Sequence, residues 1–240
     1  MVEKFNQVDV KLVWNPNVQG QYLSTIEKKD GRMKFRPYHS LVGSFLYISN
    51  GTRPDIAFSV GQPSRHFERP SEEHWKAAIR VLRYLKSTSD IEINYTGSVK
   101  DLCVCANSEA DWANNKESRR SVSGIMVMIN GAPLILKTKS QQSVALSTAE
   151  AEYIALSLCM QKVLWLKRLF CELKAKIPQQ IKIFEDNQSA NQLADFLKKP
   201  ISTKQFQDLI RLANIKNCVS KGSVEGSLQS EETDKIGGFR

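Results

Sequence analysis

The order of strand-like and helix-like segments between residues 102 and 185 constrains the fold more than any other feature of the chain. Three apolar runs with strand character come first: LCVCANSE (102–109), GIMVMIN (124–130) and APLILK (132–137). Gly131 separates the last two runs and is typical of a tight turn. A long helical pattern follows, and a short strand is predicted from Ile181 to Glu185. The sequence therefore predicts an α/β domain with a meander of three strands, a long helix and a fourth strand.

The long helix is predicted to begin after Ser147. The sequence STAE (147–150) is typical of a capping box, in which Ser147 and Glu150 each accept a hydrogen bond from the other's backbone N–H. Apolar residues at helical spacing then predict a buried stripe that runs toward Lys176: Ile154, Leu158, Trp165, Leu169 and Leu173.

The rest of the chain is predicted to be mostly helical or irregular. Residues 1–37 show little periodicity, a first helix is predicted from Tyr38 to Ser49, and a second follows the cap residue Ser71 to about Ser87. Residues 203–212 predict a short helix, and the polar tail beyond them has the composition of a disordered segment. One face of the second helix is basic and consists of Lys76, Arg80, Arg83 and Lys86. This face suits either phosphate binding or simple exposure to solvent.

The composition of the chain limits the classes of binding partner and the cellular compartment that we expect. The chain has 34 Lys and Arg against 25 Asp and Glu, a formal net charge of +9. This charge favours a polyanion such as nucleic acid, although a basic protein without such a partner fits it equally well. The five cysteines form no C-x-x-C pair, so neither a disulfide framework nor a zinc site is predicted. No apolar run could cross a membrane and no secretory signal is recognisable, so we expect an intracellular protein, in the cytoplasm or nucleus.

Six motifs in order give the chain a specific resemblance. They are YHSLVGSFLYISNGTRPDIAFSV (38–60), EEHWKAAIRVLRYLKSTSD (72–90), SEADWANNKESRRSVSGIMV (108–127), SVALSTAEAEYIALS (143–157), IFEDNQSA (183–190) and QLADFLKKP (192–200). Together they resemble the C-terminal reverse transcriptase and RNase H region of the copia-type retrotransposon Pol polyprotein. No Y-x-D-D motif occurs, so an active polymerase is not expected.

The resemblance implies four parts of the chain. These are an irregular lead-in (1–37), the end of the reverse transcriptase region (38–97), an RNase H-like domain with an internal deletion near residue 191 (98–200), and a short helix with a disordered tail (201–240). The implied fold is an RNase H-like mixed sheet with flanking helices, truncated after the fourth strand and preceded by a helical reverse-transcriptase connection segment.

The resemblance also implies a metal site. In this family, hydrolysis of RNA in RNA–DNA hybrids uses two divalent cations, Mg²⁺ or Mn²⁺, held by four carboxylates. The family's S-D-A-D-W motif reads SEADW at residues 108–112, which puts Glu109 at the position of the first catalytic carboxylate. The other three positions match Glu150, Asp186 and Asp195. We therefore expect these four residues to be catalytic metal ligands, with an RNA–DNA hybrid as the partner.

Each acid also has a structural interpretation. Glu150 suits the helix cap described above, and Asp186 could cap a helix that begins at Asn187. Asp111 lies on the same strand face as Glu109, about 6.6–6.8 Å along the strand, so it could replace Glu109 as a ligand or support it from outside the site.

Two departures from the family pattern indicate a damaged site. Glu109 is one methylene longer than the family's aspartate, and a displacement on the order of 1 Å can cost about a hundredfold in rate. Asn191 directly joins two motifs that a long segment separates in the family. If one helix ran from Asp186 through Leu197, Asp186 and Asp195 would be separated by about 13.5 Å of rise and about 900° of rotation, so they would face opposite sides.

Three functional hypotheses follow. The first is a ribonuclease H-type endonuclease that is impaired or inactive. The second is a non-catalytic element remnant that binds nucleic acid through its basic surface. The third rests on a further resemblance, because copia-like fragments occur among proteins proposed as secreted oomycete effectors with an R-x-L-R motif. The string RVLR (80–83) fits that motif but lies inside the second predicted helix.

Overall fold

The computed structural model describes residues 3–7, 10–24, 31–95, 102–113, 118–175, 180–185, 197 and 199–217. Five α-helices occur in this part of the chain: α1 (Tyr38–Gly51), α2 (Ala57–Gly61), α3 (Glu72–Ser87), α4 (Thr148–Glu172) and α5 (Thr203–Leu212). The strands are β1 (Ile91–Ile93), β2 (Val104–Asp111), β3 (Val122–Ile129), β4 (Ala132–Ser140), β5 (Lys182–Phe184) and β6 (Ile215–Asn217). None of the described helices is long and apolar enough to cross a bilayer.

A mixed four-stranded sheet in the order β4-β3-β2-β5 forms the centre of the protein. β2, β3 and β4 are antiparallel, whereas β5 runs parallel to β2 with Phe184 opposite Asn107. The β3–β4 hairpin closes on Asn130 and Gly131, which have φ angles of 48° and 81°. Two positive φ angles are typical of the two-residue turn that matches the twist of paired strands. The predicted order of three strands, a long helix and a fourth strand is confirmed.

The sheet separates two layers of helices. Val104 and Ala106 of β2 pack against Cys159 and Val163 of α4 on one face. On the other face Met126 of β3 joins a larger core, here called the first core, that contains residues of α1, α3 and α5. Side chains alternate between the two faces of a strand, so each strand supplies both cores. The protein is therefore α/β, with helices flanking both faces of the sheet.

The helix starts follow the predicted caps. Ser71 begins α3, where its Oγ accepts the backbone N–H of His74 and its own backbone N–H donates to Nδ1 of His74 at 2.9 Å. At α4, Oγ of Ser147 accepts the backbone N–H of Glu150 at 3.1 Å, as predicted. The reciprocal bond differs, because the Glu150 carboxylate accepts the backbone N–H of Leu146 instead of that of Ser147. Ser147 is thus the N-cap of the long helix, as predicted, and only the partner of the Glu150 carboxylate lies one residue further upstream.

The buried face of α4 matches the predicted stripe only in part. Ile154, Leu158 and Leu169 are partly buried and pack against the cores beneath α4. Trp165 and Leu173 are 54% and 66% exposed. The fully buried residues of α4 are Ala151, Ala155, Cys159, Val163 and Leu166. Small side chains let a helix lie close to a sheet, whereas a prediction based on large apolar residues favours a different face.

The chain returns to the first core after residue 199. Phe206 and Leu209 of α5 are buried there together with Phe5, and β6 pairs antiparallel with β1. The side-chain amide of Asn15 also donates to the carbonyl oxygen of Ile201 at 2.9 Å. Among the described residues of the predicted lead-in, 3–7, 10–24 and 31–37, the regular elements are short 3₁₀ turns. Phe5, Val13 and Asn15 pack against the first helices or this returning segment.

Candidate carboxylate site

Glu109 lies near the end of β2 and is 2% exposed. Ala110, its neighbour in the strand, packs against Ala151 and Ala155 of α4. Because successive side chains point to opposite faces, the side chain of Glu109 belongs to the face that is turned away from α4. β2 is paired on one side with β3, where Glu109 is opposite Gly124, and on the other side with β5. The backbone of Glu109 therefore sits at a fixed position near the middle of the sheet.

Glu150 lies in the first turn of α4 and is exposed. Its Oε2 accepts the backbone N–H of Leu146 at 2.6 Å. The contact satisfies a backbone donor just before the helix, and a negative charge in the first turn is favourable to the helix dipole. Glu150 thus has the structural role that the sequence offered as an alternative, and its Oε1 remains available for another partner.

The other two predicted ligands, Asp186 and Asp195, lie outside the described residues. Their described neighbours are informative. Phe184 pairs in parallel with Asn107, so β5 runs alongside β2 toward Glu109. Leu197 is fully buried in the first core, and its carbonyl oxygen accepts a hydrogen bond from Oγ1 of Thr138 at 2.7 Å.

In the described part of the chain, Glu109 and Glu150 lie near the same end of β2 but on different sides of the sheet. Glu109 faces away from α4, whereas Glu150 begins that helix. Within the described ranges, no group of three His, Cys, Asp or Glu side chains lies close enough to hold a metal ion. The four-carboxylate site stays a prediction, since half of it lies outside these ranges.

A polar cluster beside the start of α4 was not predicted. Gln141 is 3% exposed, and its side-chain amide donates to Oγ of Ser123 and to the carbonyl oxygen of Ala151, both at 2.9 Å. Its backbone N–H donates to the carbonyl oxygen of Ser121. One residue therefore ties the end of β4 to β3 and to the first turn of α4. Gln141 follows the polar run TKS (138–140), so nothing in the neighbouring sequence marks its side chain as buried.

A second buried cluster holds the end of α3. Arg53 donates to both carboxylate oxygens of Asp55, at 3.0 and 2.8 Å, and to the carbonyl oxygen of Thr88 at 2.9 Å. The hydroxyl of Tyr84 donates to Oδ2 of Asp55 at 2.6 Å. Burial, followed by the charge of Asp55, raises the pKa of Tyr84. Burial lowers the pKa of Arg53, but its interactions with Asp55 and then with Tyr84 together raise that pKa above its ordinary value. This cluster joins the segment before α2 to the end of α3 and stabilises the fold.

The RVLR string lies within α3, as predicted. Val81 and Leu82 are each 1% exposed. Nε of Arg80 donates to the carbonyl oxygens of Asn15 and Asn17, and Nε of Arg83 donates to Oε1 of Gln7. Part of the basic face of α3 is therefore occupied by the lead-in rather than left to solvent.

Comparison with known proteins identifies relatives of this chain. No protein-family model and no solved structure matches the chain. A retrovirus-related Pol polyprotein from transposon TNT 1-94 of Nicotiana tabacum is 38% identical over 200 residues, which are 81% of this chain and 15% of that protein. The Pol polyprotein from transposon RE2 of Arabidopsis thaliana is 33% identical over 65% of this chain and 11% of its own length. Secreted RxLR effector protein 161 of Plasmopara viticola is 44% identical over 56% of this chain and 94% of its own length.

These relatives differ greatly in size. The chain spans only a small share of the two Pol polyproteins, yet it covers almost the whole effector. The match to the Pol polyproteins extends over most of the chain at 33–38% identity. The motifs in the sequence point in the same direction, and the chain belongs to the family of retrovirus-related Pol polyproteins of copia-type transposons.

Proposed function

We propose that this chain is a ribonuclease H-type module whose hydrolysis of RNA in RNA–DNA hybrids is impaired. The observation that carries the proposal is the arrangement around β2. This strand holds Glu109, it has β5 as a parallel neighbour, and α4 begins beside it with Glu150. The resemblance implies an RNase H-like sheet with this order of elements, which supports the finer assignment of the fold.

The donor atoms suit Mg²⁺ or Mn²⁺, because hard divalent cations prefer carboxylate oxygens. Glu109 would supply one of the ligands from β2. Glu150 begins on the α4 side, so it would have to reach past the end of β2 to share the ion, through Oε1 while Oε2 keeps its bond to Leu146. Continuing the register of β2 and β5 by two residues would bring Asp186 alongside Glu109. When bound, such ions activate water and stabilise the leaving oxygen.

The impairment follows from the length of Glu109. Pairing with Gly124 of β3 holds the backbone of Glu109, and β5 pairs with β2 as far as Asn107, so the extra methylene moves the carboxylate rather than the strand. A shift on the order of 1 Å in a two-metal site can cost about a hundredfold in rate. The proposed role of Glu109 is thus that of a poorly placed ligand.

A cleavage assay with restoring and removing variants tests this proposal. Labelled RNA–DNA hybrid is incubated with Mg²⁺ or Mn²⁺ and the wild type, Glu109→Asp, Glu150→Gln or Asp186→Asn. We expect slow cleavage by the wild type, a gain of about tenfold or more with Glu109→Asp, and loss with the other two. Glu172→Gln, at the exposed far end of α4, is the matched control and should cleave like the wild type. Absence of cleavage by both the wild type and Glu109→Asp at every metal concentration would refute the proposal.

A second candidate is a secreted effector, which is favoured by 44% identity across 94% of the effector from Plasmopara viticola. An epitope-tagged chain expressed in the organism that produces it should then appear in the culture medium. Detection only inside the cells would exclude this role. The burial of Val81 and Leu82 argues against recognition of RVLR as an extended peptide while α3 is folded.

A further inference from the structure

Three lysines lie together on the side of the sheet that α4 covers. Lys137 and Lys139 belong to β4, the edge strand of the described sheet, where they are opposite Ile125 and Ser123 of β3. Directly paired residues share a face, and Ile125 packs in the core beneath α4, so both lysines point to the α4 side. Lys162 precedes Val163 of α4, which packs in the same core as Ile125 and as Ile135 of β4, and its charge acts on Lys137. We call Lys137, Lys139 and Lys162 the lysine surface.

The positive charge of the lysine surface is not balanced locally. Across the described residues, none of the three ammonium groups takes part in an ion pair or a side-chain hydrogen bond. Burial, followed by the charges of Lys162 and Lys139, lowers the pKa of Lys137. Like charges held together without a counter-charge are unfavourable, and a bound anion relieves that repulsion.

Protection of the sheet edge explains only part of this arrangement. Lysine on an edge strand opposes pairing with another chain, which would account for Lys137 and Lys139. Lys162 lies on a helix and has no backbone edge to protect. Edge protection therefore does not account for its position beside the other two, whereas a ligand that spans both elements would.

The spacing suits a chain of phosphates. Lys137 and Lys139 are two residues apart on one strand face, which is about 6.6–6.8 Å. That distance is about twice the axial rise of ~3.4 Å per nucleotide along one strand of nucleic acid. Flexible lysine side chains can adjust to phosphates at this separation, with Lys162 meeting a further one.

An exposed aromatic residue adjoins the lysines. Trp165 follows Lys162 by three positions in α4, so the two side chains are neighbours on the helix surface. The indole is 54% exposed. Aromatic side chains beside a cationic groove stack on unpaired bases, whereas the bases of a duplex are not available for such stacking.

We propose that the lysine surface and Trp165 form a binding site for single-stranded nucleic acid, with phosphates on the lysines and a base on the indole. The site goes beyond hydrolysis and shares with the proposed function only the class of partner. It lies on the α4 side of the sheet, whereas Glu109 faces the other side.

Binding of fluorescein-labelled oligothymidylate to the full chain, followed by fluorescence anisotropy over about 50–200 mM salt, tests the site. The variant Lys137→Gln/Lys139→Gln/Lys162→Gln should bind roughly 100-fold more weakly at about 0.1 M salt, and its log–log salt slope should fall by about 2, since a single strand releases about 0.7 counterion per phosphate. The matched control removes the same charge from exposed lysines elsewhere: Lys11→Gln/Lys34→Gln/Lys204→Gln. It should lose no more than about threefold, because screened charges act within about 10 Å.

Trp165 provides an independent arm of the same experiment. Trp165→Leu should weaken binding about tenfold with an unchanged salt slope, and Trp165→Phe should retain most of the affinity. A hybrid duplex of equal length should bind more weakly than the single strand. Thermal unfolding of each variant should match the wild type, since all the substituted side chains are at least partly exposed.

Three results would overturn the site: equal losses in the two lysine variants, no effect of Trp165→Leu, or no binding by the wild type at the lowest salt. The cleavage assay separates this outcome from the proposed function. Binding without cleavage would leave the site standing and the hydrolase refuted, while cleavage with unchanged binding in the lysine variant would do the reverse.

Discussion

Removal of the Asp55 carboxylate is a demanding test of how the first core is stabilised. The Asp55 side chain is 0% exposed and that of Arg53 is 9% exposed. The carboxylate accepts hydrogen bonds from Nε and Nη2 of Arg53 and from the hydroxyl of Tyr84. Asp55→Ala therefore leaves the phenol of Tyr84 without its acceptor and the buried guanidinium of Arg53 without its counter-charge, with only Thr88 still accepting from it.

The cost can be estimated from these contacts. Breaking a buried ion pair by deleting one partner costs about 3–5 kcal/mol, because the remaining charge stays buried. Tyr84→Phe deletes a single hydrogen bond to a charged group, which is worth about 1.5–3 kcal/mol. The double variant should cost about 1–2 kcal/mol less than the sum of the single variants, because Tyr84 has lost its partner once Asp55 is absent.

Urea unfolding followed by circular dichroism measures these differences. Glu72→Gln is the control, since it breaks a 2.6 Å ion pair with Arg36 in which the side chains are 21% and 30% exposed. Partly exposed pairs contribute little, so this variant should lose at most about 1 kcal/mol. The reasoning fails if Asp55→Ala is within about 1 kcal/mol of the wild type, or if Tyr84→Phe is the more damaging change.

Three further predictions concern single residues. Burial lowers the pKa of His74 below its ordinary 6.5, so the unfolded chain takes up the proton first and stability is lost as the pH falls below about 6.5; urea midpoints at about pH 7.5 and 5.5 should differ less in His74→Gln than in the wild type. Ser147→Ala removes the cap of α4 and should cost about 1 kcal/mol in thermal unfolding, while Ser157→Ala within the same helix should not. Gly131→Ala places a Cβ at a φ of 81° and should cost about 1–2 kcal/mol, whereas Gly51→Ala, which has open space and an ordinary φ, should be neutral.

Local features of the fold were predictable because the sequence signals lie within a few residues of one another. The Asn130-Gly131 turn, the caps at Ser71 and Ser147, and the bounds of the helix over residues 203–212 all follow from neighbouring side chains. The strand that carries Glu109 was predicted for the same reason. Its burial and pairing then follow from the position of that strand in the sheet.

Features that join distant residues could not be predicted in this way. The ion-pair cluster connects Asp55 with Tyr84 across 29 positions, and no periodic pattern links them. The buried face of α4 depends on Ala151 and Ala155, whose small side chains give a weak hydrophobic signal. Whether Glu109 faces toward or away from α4 depends on which face of the sheet the helix covers. The alternation of side chains along the strand is compatible with either orientation.

The pairing of β1 with β6 has a consequence for synthesis of the protein. The backbone N–H of Asn94, next to β1, donates to the carbonyl oxygen of Asn214, next to β6, and these residues are 120 positions apart. A ribosome adds about 5–20 residues per second, so β1 waits on the order of ten seconds for its partner. Throughout that interval the apolar side chains of α1 and α3 lack the cover that α5 will provide. The nascent chain is therefore most exposed to aggregation and chaperone binding before α5 emerges.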